Sequence, residues 1–210
     1  MKNSILSYPL RGSYGDSKYR GNCSGYIIKD LLEYYRPNTF LECFAGSGTG
    51  FDVAKELGYI NSIHLDLNRK FGSFNIMTND LPKGFDLVFS HPPYWNIIKY
   101  SGTGNVWGGK VHKDDLSHIE NYSDFIDKLN YVNKKIFDSI KVGGRHAILI
   151  GDLRKKGKYY SIIKDMEWYG QLDSHLIKIQ YNTRGEKKKY YRNNFIPIAH
   201  EHLLVFKKEN

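Results

Sequence analysis

The chain is 210 residues long, 40% hydrophobic and 25% charged, a composition that excludes a disordered chain and suits one folded domain over 1–210. No apolar run approaches the ~20 residues needed to cross a bilayer, and "MKNSILSYPLRG" lacks the apolar segment of a signal peptide, so a cytoplasmic protein is expected. The formal charge of +9 favours polyanionic partners, and Cys23 and Cys43, at unrelated spacing, point to packing and not to a disulfide framework or zinc site.

In chain order, Ser24 can cap a helix through "YIIKDLLEYY" that ends before Pro37. "TFLECF" (39–44) reads as a buried strand, and "ECFAGSGTG" follows it with glycines at 46, 48 and 50, which let a backbone turn sharply and approach a ligand before a helix begins. A purely structural turn would account for those glycines equally well. A second strand, "SIHLDL" (62–67), brings Asp66 twenty residues after Gly46, where its carboxylate can accept from both hydroxyls of a ribose. Asp80, in "NIMTNDLP", follows an expected third strand. "FDLVFS" (85–90) is the fourth, and "YSGTGNVWGGKVHKDD" (100–115) reads as a mobile, glycine-rich loop. Ser123 can cap a helix whose apolar positions, Phe125, Ile126, Leu129, Val132, Ile136, Phe137 and Ile140, recur at helical spacing until Gly143 and Gly144.

"HAILI" (146–150) is a fifth strand. The last third offers two more, "HLIKIQ" and "EHLLVFKK", suited to antiparallel pairing at a sheet edge and joined by the basic "YNTRGEKKKYYRNNFIP". The alternation of strands and helices is that of an α/β, doubly wound, Rossmann-like sheet, whose ligands bind beyond the carboxyl ends of the strands. The glycine loop with Asp66 suits an adenosine-bearing cofactor, nicotinamide or S-adenosylmethionine. It lacks both the regular GxGxxG spacing for a pyrophosphate and the lysine-threonine pair of a nucleoside triphosphate loop.

The fourth strand runs into "SHPPYWN". Methylation of an exocyclic amino nitrogen needs acceptors aimed at the amino hydrogens, so that the lone pair is freed from the ring, and it needs water excluded. A Pro-Pro corner fixes the direction of a carbonyl, the residue before it supplies a second acceptor, and an aromatic after it can stack on an extruded base. His91, Pro92, Pro93 and Tyr94 have that layout.

With "FAGSG" upstream, the sequence resembles the S-adenosylmethionine-dependent DNA amino-methyltransferases that modify adenine or cytosine, whose tetrads are Asp, Asn or Ser followed by Pro-Pro-Tyr. The resemblance extends to "YRGNCSG", "GDLR" (151–154) and "HEHLLVFKK" and covers most of the chain. It implies a class I methyltransferase fold with a seven-stranded, mostly parallel sheet and helices on both faces, and S-adenosylmethionine as methyl donor. It also implies a flipped base held by residues 91–94. Cofactor contacts are implied at Asn22, Ser24, Phe44, Gly46, Ser47, Gly48, Asp66, Leu67 and Asp80, the last meeting the adenine amino group unless it is only a turn residue.

His91 departs from the family's usual acceptor, and a neutral imidazole accepts where an imidazolium cannot. Activity is therefore expected to fall as His91 protonates, with Ser90 the alternative acceptor. Trp95 either extends the stacking wall or packs beneath it, and Asp152 and Arg154 line the pocket or pair with each other. His200 and His202 share a strand face without making a metal site. Arg184, Lys187, Lys188, Lys189 and Arg192, around Tyr190 and Tyr191, suit phosphate contacts.

The partner expected is DNA, methylated with adenine preferred by a monomer or weak homodimer. No stretch is long enough for a large target-recognition domain, so sequence reading is left to 100–115, the basic segment or a partner. Cytosine, structured RNA and a protein glutamine amide are alternative substrates, and a non-catalytic nucleic-acid-binding scaffold is the alternative of another class.

Overall fold

The computed structural model describes residues 1, 3–181 and 193–210. In chain order the elements are β1 (Ile5–Leu6), α1 (Gly25–Tyr35), β2 (Phe40–Cys43), α2 (Thr49–Glu56), β3 (Ile63–Leu65), β4 (Phe85–Ser90), α3 (Tyr122–Ser139), β5 (Ile140–Ile150), β6 (Leu153–Lys155), β7 (Lys158–Tyr160), α4 (Ile162–Asp165), β8 (Gln171–Ile179) and β9 (His200–Lys207). Seven strands form one sheet in the order β1-β8-β9-β5-β4-β2-β3, and β6 and β7 make a separate hairpin. Four of the neighbouring pairs are parallel, and β9 runs antiparallel to both β5 and β8.

Strand periodicity divides the core into two layers. Leu87 and Phe89 of β4, Ala147 and Leu149 of β5, and Leu203 and Val205 of β9 pack on Ile27, Ile28, Leu31 and Leu32 of α1 and on Val53 and Ala54 of α2. The alternate positions, Ile148, Ile150, Leu204 and Phe206, face Phe125 and Leu129 of α3, and Leu41, Cys43 and Val88 face Val132 and Ile136. Because successive side chains point to opposite faces, a strand covered by helices on both sides must be apolar throughout. That is why "LVF" (87–89) and "AILI" (147–150) are continuous apolar runs.

Three expectations about the elements need correcting. No strand lies between β3 and Asp80, where the sequence led to the expectation of one: the Asn75 side chain accepts from Met77 N at 3.0 Å, and the backbone turns so that Asn79 N donates to Asn75 O at 2.8 Å. An Asn side chain bonded to its own backbone two residues on offers the chain an alternative to a sheet ladder. The seventh strand is β1 instead, which pairs parallel to β8 and removes the β8–β9 pair from the edge. The cap of α3 is Asn121, whose side chain accepts from Asp124 N at 3.2 Å, and not Ser123. Finally, Gly143 and Gly144 lie inside β5, where the pairing with β4 shifts register between Phe85 and Leu87. A Cβ on Gly144 would sit 2.7 Å from Phe85 O, so only glycine allows the strands to approach there.

Candidate active site

The loop from β2 into α2 turns through left-handed conformations at Phe44 (φ 64°), Gly46 (φ 55°) and Gly48 (φ 93°). The turn is pinned from β3: Ala45 N donates to Leu65 O at 3.1 Å. Asp66 is buried just beyond β3, and its two carboxylate oxygens accept from Gly46 N at 2.8 Å and from Asn68 N at 2.7 Å. Burial pushes the Asp66 pKa up to about 6, against the lowering pull of those two amides. Gly50 is required for a different reason: a Cβ there would lie 2.3 Å from a Glu42 carboxylate oxygen. Glu42 is itself buried and bonded to His64 Nδ1 at 2.7 Å.

Above this loop lies a cavity walled by the N-terminal segment, β2, the glycine loop and the ends of β3 and β4. Asn22, Phe44, Gly46, Ser47, Asp66 and Leu67 line it. Ser24, Gly48 and Asp80 do not. Ser24 is buried at the start of α1 and donates to Arg11 O at 3.2 Å. Gly48 caps α2 with Phe71 packed against it, and Asp80 is exposed on the turn that replaced the expected strand. Asn75, whose amide donates to Asp114 Oδ2 at 2.8 Å, lines that side of the cavity instead.

The roof was not foreseen. Tyr19, Tyr100 and Trp107 line the same cavity, with ring centroids 6.1 Å apart for Tyr19–Tyr100 and 5.6 Å for Tyr100–Trp107. Trp107 Nε1 donates to the Tyr19 hydroxyl at 2.7 Å, joining residues 88 apart. Segment 100–115, expected to be free, is thus tied to the N-terminal segment. Its base is fastened by Asp115, which accepts from Ser101 N at 2.8 Å and Ser101 Oγ at 2.7 Å.

A second cavity adjoins the first. It is lined by His91, Pro92, Tyr94, Lys178, Gln180 and Glu201 among others, and shares Gly21, Asn22, His91 and Tyr100 with the first. His91 stands at the junction, with Pro93 on the first cavity's wall and Pro92 on the second's. Residues 91–94 therefore lie on the same side of the sheet as the glycine loop. Ser90 is no alternative acceptor, because it is fully buried and its Oγ lies 2.7 Å from His146 Nε2.

The His91 ring is held from one side: Nε2 lies 3.0 Å from the Tyr94 hydroxyl, which donates to Glu201 Oε1 at 2.8 Å, and Lys178 Nζ donates to Glu201 Oε2 at 2.8 Å. Burial pushes the His91 pKa down to about 4 and raises that of Tyr94 well above its ordinary value. Burial would also raise Glu201, but Lys178, His91 and the Tyr94 hydroxyl together outweigh it and hold the carboxyl below the usual range. Gly151, from the "GDLR" stretch, leaves room for Tyr94: a Cβ there would come within 2.6 Å of its ring.

The remaining expected site residues fall elsewhere. Trp95 is packed beneath the corner among Tyr122 and Tyr160, its indole donating to Ile119 O at 2.8 Å. Asp152 accepts from Tyr159, Ser161 and Ile163 N, fastening the β6–β7 hairpin to α4. Arg154 donates to Gly157 O at 3.1 Å and lies over the rings of Tyr159 and Phe195. Neither lines either of the two cavities. His202 packs on His175, Nδ1 to Nε2 at 3.0 Å, and among the described residues no group of three or more His, Cys, Asp or Glu is placed to hold a metal ion. Arg184, Lys187, Lys188, Lys189 and Arg192 lie outside the described residues. No described helix is long and apolar enough to cross a membrane.

The fold is that of the class I methyltransferases. No family model and no curated protein sequence matches the chain. Among solved structures it is similar to TrmN from Thermus thermophilus, with 15% identity, a TM-score of 0.52, and 91% of this chain and 51% of that chain covered. It is also similar to the N-methyltransferase NodS from Bradyrhizobium japonicum WM9, with 10% identity, a TM-score of 0.51, and 89% and 94% covered. A structure solved for the conversion of a disulfide bond into a thioacetal group during echinomycin biosynthesis aligns with 12% identity and a TM-score of 0.51 over 86% and 81%. The chain spans about half the length of the TrmN structure. At these identities the likeness establishes the Rossmann-like methyltransferase fold, and the substrate has to be argued from the site.

Proposed function

We propose that the chain is an S-adenosylmethionine-dependent DNA methyltransferase acting on the exocyclic amino group of a flipped base. Adenine is the preferred target, and the 4-amino group of cytosine is the alternative that the same acceptors would serve. The observation that carries this reading is His91, an acceptor-capable side chain fixed in the wall shared by the glycine-loop cavity and a second cavity.

The first cavity fits the cofactor on two counts. The buried Asp66 carboxylate, shaped by the Gly46 and Asn68 amides, retains lone pairs for ribose hydroxyls. Ser47 Oγ is buried without a hydrogen-bond partner, and an orphaned hydroxyl in a cavity wall is explained by a ligand that satisfies it. S-adenosylmethionine, when bound, supplies an electrophilic methyl group on a sulfonium sulfur.

The chain's own residues do the rest. His91, neutral near pH 7 because burial depresses its pKa, accepts a hydrogen from the amino group and favours a lone pair directed out of the base ring. Pro92 and Pro93 hold the backbone corner that fixes its position. Tyr94 and Tyr100 give the second cavity aromatic walls, and the roof of Tyr19, Tyr100 and Trp107 excludes water from the first. The charge of +9, with five cations between Arg184 and Arg192, supports a polyanionic substrate. A non-catalytic scaffold would leave Ser47, Asp66 and His91 without a purpose.

The test is to incubate the protein with labelled donor and separate DNA and RNA pools, digest to nucleosides and identify the methylated species by mass. N6-methyldeoxyadenosine, lost in His91→Ala, is expected. Label confined to RNA, or equal labelling by His91→Ala, overturns the proposal.

A further inference from the structure

The four side chains from Lys178 to His91 form a line whose hydrogen bonds can be counted, and the count fixes the proton on His91. Glu201, ionised beside Lys178, can only accept. The Tyr94 hydroxyl must therefore donate to Glu201 Oε1. A hydroxyl has one proton, so at 3.0 Å Tyr94 Oη can only accept from His91 Nε2, which must carry the hydrogen. In a neutral imidazole the other nitrogen is then bare. Nδ1 makes no hydrogen bond among the described residues and is not sealed from solvent, and the ring borders both cavities.

We propose that Glu201 is a positioning residue of this site: through Tyr94 it holds His91 in the Nε2–H tautomer and so presents the Nδ1 lone pair at the junction of the two cavities as the acceptor for the substrate amino group. What that acceptor meets rests on the function proposed above; the tautomer itself does not. Without a carboxylate at 201, the Tyr94 proton is free to turn toward Nε2. His91 then moves its own proton to Nδ1, and the acceptor facing the amino group becomes a donor. Glu201→Gln tests this without changing shape. Its amide oxygen can serve Tyr94 only by turning its amino group on the Lys178 ammonium, and the opposite orientation makes it donate to Tyr94.

The measurement is a long-range proton–nitrogen correlation spectrum of the full chain labelled with nitrogen-15 histidine near pH 7.5, His91 being assigned by its loss in His91→Asn. The wild type is expected to show protonated Nε2 and bare Nδ1. Glu201→Gln should shift His91 toward protonated Nδ1 and lower kcat at least about tenfold, the loss of one hydrogen bond, with cofactor Kd changed less than about twofold. Tyr94→Phe, which keeps the Lys178–Glu201 pair, should give a mixture of tautomers, so the test survives if Glu201→Gln does not fold. A wild type with protonated Nδ1, or both variants keeping the wild-type ratio, overturns the assignment. The stated tautomers without methyl transfer to any nucleic acid overturn the function proposed above and leave the Glu201 relay standing. Transfer with the wrong tautomer does the reverse.

Discussion

The backbone N–H of Gly46 donates to the Asp66 carboxylate at 2.8 Å, so the glycine loop and its acidic partner are joined directly. Asp66→Asn disturbs both parts. An amide offers one acceptor oxygen where two are in use, and its amino group must face either Gly46 N or Asn68 N, donor against donor. The variant should lose about 1–3 kcal/mol of stability through the unsatisfied amide and bind S-adenosylmethionine at least about tenfold more weakly, since tenfold is ~1.4 kcal/mol. Calorimetry across pH adds a second reading. Burial raises the Asp66 pKa to about 6, so affinity should fall as pH drops through that value. Unchanged affinity in Asp66→Asn would remove the ribose role.

On the function proposed above, proton uptake by His91 should set the acid limit of activity. An exposed histidine at ~6.5 would lose its acceptor in mild acid, but burial holds His91 near 4. The kcat profile should therefore be flat from alkaline pH to about pH 5 and collapse as pH approaches about 4. The sequence led to the expectation that activity falls as His91 protonates, and burial moves that fall to lower pH. His91→Ala should cost about 100-fold or more in kcat, as removal of one preorganised polar group does. His91→Asn, which restores an acceptor oxygen, should recover part of that loss. Equal rates for His91→Ala and the wild type would place the chemistry elsewhere.

Much of this site was legible because its signals are local. The glycine loop, Asp66 and the Pro-Pro corner each lie within a few residues of a strand's carboxyl end, and strand ends can be read from apolar runs. Glu201 and Lys178 were not legible as site residues: they come from β9 and β8, and only the sheet order brings them to the end of β4. A signal did exist. In "HEHLLVF" the lone acid alternates with two histidines, so it must face the opposite side of the sheet from them. Trp95 shows the converse, because adjacency to Tyr94 says nothing about which way an indole turns, and its N–H is satisfied by Ile119 O underneath. The expected third strand failed because apolar residues around Ile76 and Met77 outweighed, in the pattern, the turn chemistry of Asn75.

Stability against acid should show opposing contributions. His91 and His146 are pushed down by burial to about 4 and about 3, whereas unfolded histidine titrates near ~6.5. Between those limits the unfolded chain binds the protons and the native chain does not, so stability falls as pH falls, by up to ~1.4 kcal/mol per pH unit for each histidine. Asp66 has the opposite sign: raised to about 6, it takes its proton in the native state first and offsets one histidine between about pH 6 and its unfolded value of ~3.9. Urea unfolding from about pH 6 to pH 5 should thus show stability falling as pH falls, with a slope steeper by up to about one proton in Asp66→Asn, His202, also depressed by burial, adding to the fall in both proteins. A slope of zero in both proteins would contradict the assignment of these burial shifts.

The roof should govern how long the cofactor stays. Trp107 Nε1 donates to the Tyr19 hydroxyl at 2.7 Å, and both rings line the first cavity, so this bond closes the N-terminal segment against segment 100–115 over the glycine loop. Trp107→Phe keeps an aromatic ring and removes the donor. With a neutral hydrogen bond worth about 0.5–1.5 kcal/mol net, cofactor release should quicken by about two- to tenfold. KM for the cofactor should rise in step and kcat stay within about twofold, because His91, Tyr94 and Glu201 are untouched. Tyr19→Phe removes the acceptor of the same bond and should match Trp107→Phe, and the double variant should be no worse than either alone, as expected for two residues acting through one contact. Stopped-flow displacement of bound S-adenosylmethionine measures the rate directly. Additive effects in the double variant would mean that the two rings hold the cofactor separately and that no shared closure exists.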